Sequence, residues 1–285
     1  MKKVTNIAFL GGDDRSVHAM ECFGGSGYEV ASCGMLDKMS LDCVKISTVY
    51  DAVKFADALI LPIPMTRDQK SLSYSNELWL DDIVESIDKN ENLIVFGGMI
   101  PSFFEEKLKD LSVKVFDYAK DEYYLQATAE LTAKAFFDFI KDKRLPSLNN
   151  SKVAICGFGR IGKNLIEPLV RLNAQIQVFS SKSEEYNKNA LPSVVFYDYK
   201  DAALAIGECD AVINTAPSHV LDMQAIKSLP SDALFYELAS APFGIDEVER
   251  EYLGARYIKA PGLPGVYYPK ESGELIYKSV LSFLG

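Results

Sequence analysis

Short apolar runs alternate with stretches of helical length along almost the whole chain, and this pattern limits the fold more than any other feature. Runs such as residues 58–65 are long enough for a buried strand, and amphipathic segments of helical length separate them. Alternation of strand and helix is typical of parallel sheets covered by helices on both faces. The sequence therefore predicts an α/β protein.

The pattern repeats in two halves. In the first half we predict strands at residues 6–10, 29–33, 58–63, 93–96 and 114–116, with helices at 16–23, 79–89 and 103–111. A long helix is predicted at 121–144, followed by strands at 152–156, 175–179, 194–197, 211–214, 234–237 and 257–259 and a last helix at 270–284. Six strands in the second half fit one doubly wound unit.

A Pro/Ser/Asn-rich segment at residues 145–150 follows the long helix and is typical of a domain linker. We therefore predict two doubly wound, Rossmann-like domains with parallel sheets, joined by a long interdomain helix. The predicted parts are a substrate-side domain at 1–120, the helix and linker at 121–148, an NAD(P)-binding domain at 149–265, and a C-terminal helix at 266–285 that packs back on the junction.

Composition excludes several classes of function. The chain has 30 Lys and Arg against 40 Asp and Glu, a net charge of −10, and no basic run, so nucleic acid and anionic membranes are poor partners. No apolar run approaches the roughly 20 residues of a membrane span, and no secretory signal is evident. Five cysteines without CxxC spacing favour a reducing cytoplasm. With only two histidines, we expect neither a metal site nor Ser-His-Asp chemistry.

The strongest motif is a glycine-rich turn between the strand at 152–156 and a helix. It has the GxGxxG pattern and consists of Gly157, Phe158, Gly159, Arg160, Ile161 and Gly162. In such a turn the first glycine allows the tight bend, the second lets backbone approach a pyrophosphate, and the third lets helix and strand pack closely. The motif predicts a dinucleotide-binding turn, with a glycine turn that binds no ligand as the alternative.

The end of the next strand indicates which dinucleotide. Ser180, Ser181 and Lys182 stand where NAD-binding proteins usually carry an acidic residue for the ribose, and the first carboxylate is Glu184. Two hydroxyls and a cation suit a 2′-phosphate. We therefore expect NADP, with NAD as the alternative. The same serines are also suited to cap the following helix.

Two further strand ends face the predicted cofactor crevice. The fourth strand ends in Asn214, Thr215, Ala216 and Pro217, which we predict to contact the cofactor. The fifth is followed by Ala239 and Ser240, where many hydroxyacid dehydrogenases carry a catalytic Arg. His219 follows the fourth strand, a position more typical of cofactor contact or a helix start. The usual hydroxyacid dehydrogenase mechanism therefore lacks its acid/base and its carboxylate anchor.

Taken together, these residues resemble, along the whole chain, the family of A subunits of dipicolinate synthase. The matching stretches are Gly11-Gly12-Asp13-Asp14-Arg15, residues 157–162, residues 214–218, Leu238-Ala239-Ser240, Ala260-Pro261-Gly262-Leu263-Pro264-Gly265, Pro269-Lys270 and Gly273. Phe243, where the family tends to have a small residue, and the bulky pair Tyr267-Tyr268 depart from it and alter the expected shape of the substrate pocket.

The resemblance implies oxidation of a dicarboxylic cyclic imine, dihydrodipicolinate or its hydrated tetrahydro precursor, to dipicolinate during bacterial sporulation. It also implies an oligomer, partnership with a flavoprotein-like B subunit, and work in the mother-cell cytoplasm. Two alternatives stay open. One is another NAD(P)-dependent imine or amino-acid dehydrogenase, and the other is a non-catalytic nucleotide-binding subunit that supports the flavoprotein.

A substrate with two carboxylates needs cations, and Arg suits bidentate binding. Arg15 follows the first strand's glycine turn at a helix start, so we expect it to anchor the substrate in a cleft between the domains; a solvated surface Arg is the alternative. Arg67 and Thr66 lie in the polar segment 66–76, which is either an active-site loop or a variable surface loop.

Three residues are candidates for proton transfer. Glu130, in a Thr-x-Glu that resembles the family's, is either buried with a shifted pKa or an exposed helical Glu. Asp14 either transfers a proton or orients Arg15. Lys270 follows the Pro-rich turn and either faces the cleft or is exposed at a helix start.

Overall fold

The computed structural model describes residues 3–35, 43–75, 78–88, 90, 92–187 and 191–285. Asn76 and Lys89, which end two of the predicted segments, lie outside these residues. The chain divides into two units, Met1–Thr128 with Tyr268–Gly285, and Ala129–Tyr267. The roles predicted for the two halves, substrate binding and cofactor binding, stay predictions.

The first unit is built on a parallel sheet of six strands. Its elements are β1 (Asn6–Leu10), α1 (Asp14–Gly25), β2 (Glu29–Cys33), β3 (Val44–Lys45), α2 (Val49–Phe55), β4 (Ala58–Ile60), α3 (Leu80–Ile87), β5 (Ile94–Gly97), α4 (Ser102–Asp110) and β6 (Lys114–Asp117). The strand order is β3-β2-β1-β4-β5-β6. A long helix, α5 (Glu122–Asp142), follows and continues into the second unit.

The second unit repeats this order. Its elements are β7 (Lys152–Cys156), α6 (Arg160–Arg171), β8 (Gln175–Phe179), α7 (Ser183–Asn187), β9 (Val194–Tyr197), α8 (Ala202–Ala205), β10 (Ala211–Asn214), α9 (Met223–Ser228), β11 (Leu234–Glu237), α10 (Glu247–Leu253), β12 (Tyr257–Lys259) and α11 (Leu263–Tyr267). The strands lie in the order β12-β11-β10-β7-β8-β9, and every pairing is parallel. Two doubly wound sheets confirm the predicted fold class.

The buried strands explain why alternation predicts this fold. In β7 the residues from Val153 to Cys156 are all fully buried, as are those from Val212 to Asn214 in β10. Strands covered by helices on both faces are apolar at every position, so they appear in the sequence as short continuous apolar runs. None of the helices in the described residues combines the length and apolar character needed to cross a bilayer.

Two predictions for the first sheet are wrong. The predicted five strands omit β3, which has only two residues, both exposed, and therefore lacks an apolar run; α2 beside it is also missing from the prediction. The predicted strand at 58–63 is too long, because β4 ends at Ile60. Pro62 and Pro64 follow closely, and proline has no N–H to donate to a strand ladder.

The last helix, α12 (Pro269–Leu284), packs against α1 in the first unit. A Cβ on Gly273 would lie 2.5 Å from the carbonyl oxygen of Arg15 and 2.7 Å from Cβ of His18. Since only glycine fits there, Gly273 lets the two helices approach closely. This contact supports the first turn of α1.

Candidate functional site

The glycine turn after β7 can only be built from glycine at two of its three positions. Gly157 has φ of +99°, and a Cβ on it would lie 2.8 Å from Oγ1 of Thr215. A Cβ on Gly162 would lie 2.2 Å from the backbone oxygen of Gly157. A side chain at either position would therefore push apart β7, α6 and the loop after β10.

Gly159 differs from the other two glycines because a Cβ on it would meet nothing within 4 Å. It is the N-cap of α6, and no side chain caps this helix end. The first N–H groups of a helix have no partner inside the helix and attract anions. The turn thus presents uncapped backbone donors beside open space, as a pyrophosphate site requires.

The side chain of Phe158 turns from the glycine turn toward β9. Its ring makes edge contacts with Tyr186 and Phe196, with centroids 4.8 Å away in each case, and Nζ of Lys163 lies 5.7 Å from its centroid. Arg160 is exposed and Ile161 half-buried on the first turn of α6. The predicted cofactor residues 157–162 therefore form one continuous turn at the carboxyl end of the sheet.

A buried carboxylate joins the ends of β10 and β11. Glu237 is fully buried and accepts hydrogen bonds from Nδ2 of Asn214 at 2.6 Å and from the backbone N of Gly244 at 3.0 Å. The backbone N of Ala239 and the hydroxyl of Tyr257 also donate to it. Burial raises the pKa of Glu237, and these donors oppose that rise.

The predicted residues after β10 are part of this framework. Oδ1 of Asn214 accepts from the backbone N of Ala216 at 3.2 Å, and the Thr215 hydroxyl donates to the carbonyl of Cys156 at 3.1 Å. Thr215 and Ala216 are half-buried, and Pro217, the next residue in the loop, is exposed. Glu237 is not among the residues predicted from the sequence. The signal that identifies it is an acidic residue that ends an otherwise apolar buried strand.

The three residues after β8 have different environments. Ser180 is buried, and its hydroxyl accepts from the backbone N of Lys182 at 3.2 Å. Ser181 and Lys182 are exposed. Ser180 thus holds the turn that leads into α7, as the helix-cap alternative expects, while Ser181 and Lys182 remain accessible to a ligand.

In the first unit the turn after β1 is closed by an ion pair. Gly11 and Gly12 have φ of +58° and +117°, and Asp13 then caps α1 by accepting from the backbone N of Arg15. Nη2 of Arg15 also donates to the Asp13 carboxylate at 2.7 Å, and the arginine side chain is 12% exposed. Burial alone lowers the pKa of Arg15, but its bond to Asp13 raises it above the usual value, so the charge persists.

Arg15 and Arg67 meet at the hydroxyl of Tyr74. Nη2 of Arg15 donates to this oxygen at 3.0 Å and Nη2 of Arg67 at 2.8 Å. Their guanidinium carbons lie 5.7 Å and 4.9 Å from the centroid of the Tyr74 ring. Two of the predicted substrate residues are therefore brought together by a tyrosine that the sequence prediction omits.

The loop that carries Tyr74 lies against the glycine turn after β1. A Cβ on Gly11 would lie 3.2 Å from the backbone oxygen of Ser73. The Ser73 side chain is 5% exposed, and its hydroxyl has no hydrogen-bond partner among the described residues. A buried hydroxyl without a partner is costly, so Ser73 makes an unfavourable contribution beneath this loop.

Asp68 shapes the segment around Arg67. Its carboxylate accepts from the backbone N of Ser71 and of Lys70, and also from the hydroxyls of Ser71 and Thr66. These bonds hold the pKa of Asp68 far below its usual range. The predicted substrate residue Thr66 therefore stabilises the loop through Asp68 and also accepts from the backbone N of Gln69.

The predicted proton-transfer residues lie in different places. Asp14 is exposed in the first turn of α1, and Asp13, not Asp14, holds Arg15. Glu130 is exposed on α5, as one of its two alternatives expects, and Lys270 is exposed in the first turn of α12.

Phe243, the predicted departure from the family pattern, has φ of +71°, a conformation that favours glycine. Its ring is flanked by Nζ of Lys259 at 4.7 Å and the guanidinium of Arg250 at 5.4 Å. Both distances are within the range of cation–π contacts. The effect of Phe243 on the shape of the substrate pocket stays a prediction.

Comparison with known proteins agrees with this geometry in both units. Residues 6–119 match the family model of the N-terminal domain of the A subunit of dipicolinate synthase. Residues 123–243 match the model of the NAD-binding domain of D-isomer specific 2-hydroxyacid dehydrogenases. The second match agrees with a nicotinamide cofactor on the glycine turn.

Whole proteins are also similar. The A subunit of dipicolinate synthase from Bacillus subtilis (strain 168) is 25% identical over 292 aligned positions, which cover 98% of this chain and 95% of that protein. The crystal structure of its counterpart from Bacillus halodurans has a TM-score of 0.87 at 22% identity, covering 99% and 98% of the two chains. A transhydrogenase from Sinorhizobium meliloti has a TM-score of 0.65 at 16% identity, covering 98% and 93%.

Proposed function

Because this chain is similar to the A subunit of dipicolinate synthase over its whole length, we propose that it oxidises dihydrodipicolinate, or its hydrated tetrahydro precursor, to dipicolinate. We propose NADP as the hydride acceptor. The proposal includes partnership with a B subunit, since the relative's name is that of one subunit of a synthase, and a role in the mother-cell cytoplasm during sporulation.

The reaction requires little covalent chemistry from the protein itself. The substrate loses a hydride and a proton and becomes aromatic, and a hydrated substrate also loses water. The nicotinamide, when bound, accepts the hydride. The protein must bind two carboxylates, fix the ring, and supply a proton donor for a leaving hydroxyl.

Within the structure, the single observation that carries this proposal is the meeting of Arg15 and Arg67 at Tyr74. In a chain with a net charge of −10, two guanidinium groups converge on one hydroxyl beside the carboxyl end of β1. Ligands of open α/β sheets bind outside the carboxyl ends of strands. Paired guanidinium groups there suit a dicarboxylate.

Tyr74 has the further role of proton or hydrogen-bond donor in this proposal. A tyrosine hydroxyl accepts through its oxygen and donates one hydrogen. The two arginines donate to that oxygen, so the hydroxyl hydrogen is directed to another acceptor, such as a carboxylate or a leaving hydroxyl. Asp14, Glu130 and Lys270 stay predictions for the remaining proton transfer.

The choice of NADP rests on the residues after β8. Ser181 and Lys182 are exposed, and the first carboxylate after the strand is Glu184 on α7. We expect NADP to bind more tightly than NAD. Ser181→Asp, which places a carboxylate at an exposed position while Ser180 keeps the turn, should reverse that order in a titration. Tighter binding of NAD by the unmodified chain would contradict the choice.

The direct test is an absorbance assay with the purified chain, NADP and the cyclic substrate generated in situ. Arg15→Ala should raise the KM for the substrate about ten- to more than a hundredfold, since a charge-assisted bond is worth about 1.5–3 kcal/mol. Arg15→Lys should recover part of this loss because a point charge lacks the planar fork. Arg171→Ala, whose side chain is exposed on α6, is the control.

Two results would redirect the proposal. Reduction of NADP only when a B subunit is added would favour a nucleotide-binding subunit that depends on its partner for catalysis. Reduction with other cyclic imines or amino acids, but not with the dicarboxylate, would favour another dehydrogenase of the same fold.

A further inference from the structure

Three potential metal ligands lie together in the second unit, apart from the glycine turn. Among the described residues, His219, Asp246 and Glu249 each offer one ligand atom, and these atoms all lie within 4.8 Å of one another. We propose that they form a binding site for a divalent transition-metal ion of the zinc class. This differs from the sequence prediction, which expects no metal site because the chain has only two histidines.

The state of Glu249 is the observation that points to a cation. Its side chain is 8% exposed, and its Oε2 atom is buried without a hydrogen-bond partner among the described residues. A buried carboxylate oxygen without a donor is strongly unfavourable unless a positive charge compensates it. A metal ion held with His219 and Asp246 supplies that charge.

The positions of Asp246 and Glu249 at the start of α10 would suit helix capping, but the two carboxylates do not cap the helix. Asp246 precedes α10 and Glu249 lies three residues on, the spacing of a capping box in which each side chain binds the other residue's backbone N–H. Asp246 makes no side-chain capping bond, and Glu249 Oε2 makes none either. Both carboxylates lie near His219 instead, with Oδ2 of Asp246 3.8 Å from its Nε2.

The backbone that carries the ligands is held in place. The N–H of Val220, next to His219, donates to the carbonyl of Gly244 at 2.8 Å. The N–H of Gly244 in turn donates to the buried Glu237. The two loops are thus tied together, and the helical residue Glu249 is fixed by burial. Only the exposed side chains of His219 and Asp246 need to move to close on an ion.

The donor set favours one class of ion. One imidazole nitrogen and two carboxylate oxygens are ligands that Zn²⁺ binds at about 2.0–2.2 Å. An imidazole ligand disfavours Mg²⁺ and Ca²⁺, which prefer oxygen ligands only. Three protein ligands with two exposed side chains leave at least one coordination position for water.

The test uses the full chain, free of any histidine tag and treated with a chelator. Titration with ZnCl₂, followed by calorimetry, should show one Zn²⁺ bound per chain at this site. His219→Ala and Glu249→Gln should each weaken that binding at least tenfold. His18→Ala, which removes the other histidine, and Glu251→Gln, which changes an exposed carboxylate on the same helix, should leave it unchanged.

Thermal unfolding of the metal-free protein gives a second readout. Glu249→Gln should keep or raise the melting temperature, because it removes a buried charge that has no partner in the metal-free chain. The proposal is overturned if Zn²⁺ does not bind, which would leave a simple His219–Asp246 ion pair. It is also overturned if Zn²⁺ binds equally well to both variants, or if Glu249→Gln lowers the melting temperature of the metal-free protein.

Discussion

The two units share a strand order but start their first helix in opposite ways. After β7, α6 begins at Gly159, with no side-chain cap and open space where a Cβ would lie. After β1, the N-cap of α1 is Asp13, whose carboxylate caps the helix and holds the guanidinium of Arg15. The same topology therefore presents uncapped backbone donors in one unit and a side-chain ion pair in the other.

Under the proposed function, this difference explains how one architecture would serve two ligand chemistries. A phosphate at α6 meets helix N–H groups directly. An anion approaching α1 meets the negative charge of Asp13, so it must be recognised by the side chains of Arg15 and Arg67 around Tyr74. In the proposal, a few residues after the first strand set the ligand class of each unit, while the strand order stays the same.

The largest expected effect concerns the close packing of the turn after β7. Gly162→Ala places a Cβ 2.2 Å from the backbone oxygen of Gly157, where nothing can yield without moving backbone. We expect destabilisation of about 3 kcal/mol or more, seen as a lower melting temperature in calorimetry. Gly25→Ala, where a Cβ on α1 meets nothing within 4 Å, is the control. An unchanged melting temperature of Gly162→Ala would contradict the described turn.

A smaller effect is expected at the end of β11, the fifth strand of the second sheet. This strand ends in the buried Glu237, whereas β5, the fifth strand of the first sheet, ends in Gly97. Glu237→Gln turns an amide group toward donors such as the N–H of Gly244 or Ala239, and should cost about 1–3 kcal/mol in thermal unfolding. Glu247→Gln, exposed on α10, should have no effect.

The pH dependence of this site follows from burial. Because the pKa of Glu237 is raised, the folded chain takes up this proton at a higher pH than the unfolded chain. The stability gained from the protonated form is present at low pH and is lost as pH rises through the folded-state pKa. The free energy of unfolding, measured for the wild type and for Glu237→Gln from acidic to neutral pH, tests this dependence. A stability of the wild type that rises with pH relative to Glu237→Gln would contradict burial as the cause.

The smallest effect is expected in the loop of the first unit. Hydrogen bonds from Ser71 and Lys70 lower the pKa of Asp68. Its contribution to loop order is therefore present at neutral pH, starts to decline below the ordinary pKa of an aspartate, and is lost as pH falls through the lowered pKa. Asp68→Asn should speed amide exchange at Lys70 and Ser71 a few-fold. Glu85→Gln, exposed on α3, should not. Equal exchange rates in the wild type and Asp68→Asn would contradict a role of Asp68 in ordering the loop.

Local patterns predict the second sheet well, because strands such as β7, β10 and β11 are almost entirely buried and apolar. Bounds such as Lys152–Cys156 and Ala211–Asn214 coincide with the predicted ranges. The two exposed residues of β3 carry no such signal. The strand is defined only by its pairing with β2, which local sequence does not reveal.

The candidate sites can be predicted where one continuous segment forms them, and not where distant segments meet. The glycine turn is a single stretch of sequence, so its pattern alone identifies it. Tyr74 joins Arg15 and Arg67 because the loop after β4 folds against the turn after β1. Likewise, His219 meets Glu249 only through the pairing of two loops. Such contacts depend on tertiary structure and not on spacing along the chain.

The measurement that tests the central claim most directly is a crossed titration of two variants with two ligands. Gly159→Val fills the open space beside α6, so it should lose at least tenfold in NADP affinity and keep its affinity for dipicolinate. Arg15→Ala should lose at least tenfold in dipicolinate affinity and keep its affinity for NADP. Calorimetry on both variants and the wild type gives all four comparisons. Loss of NADP binding in Arg15→Ala, or of dipicolinate binding alone in Gly159→Val, would contradict the division of the two turns between nucleotide and dicarboxylate.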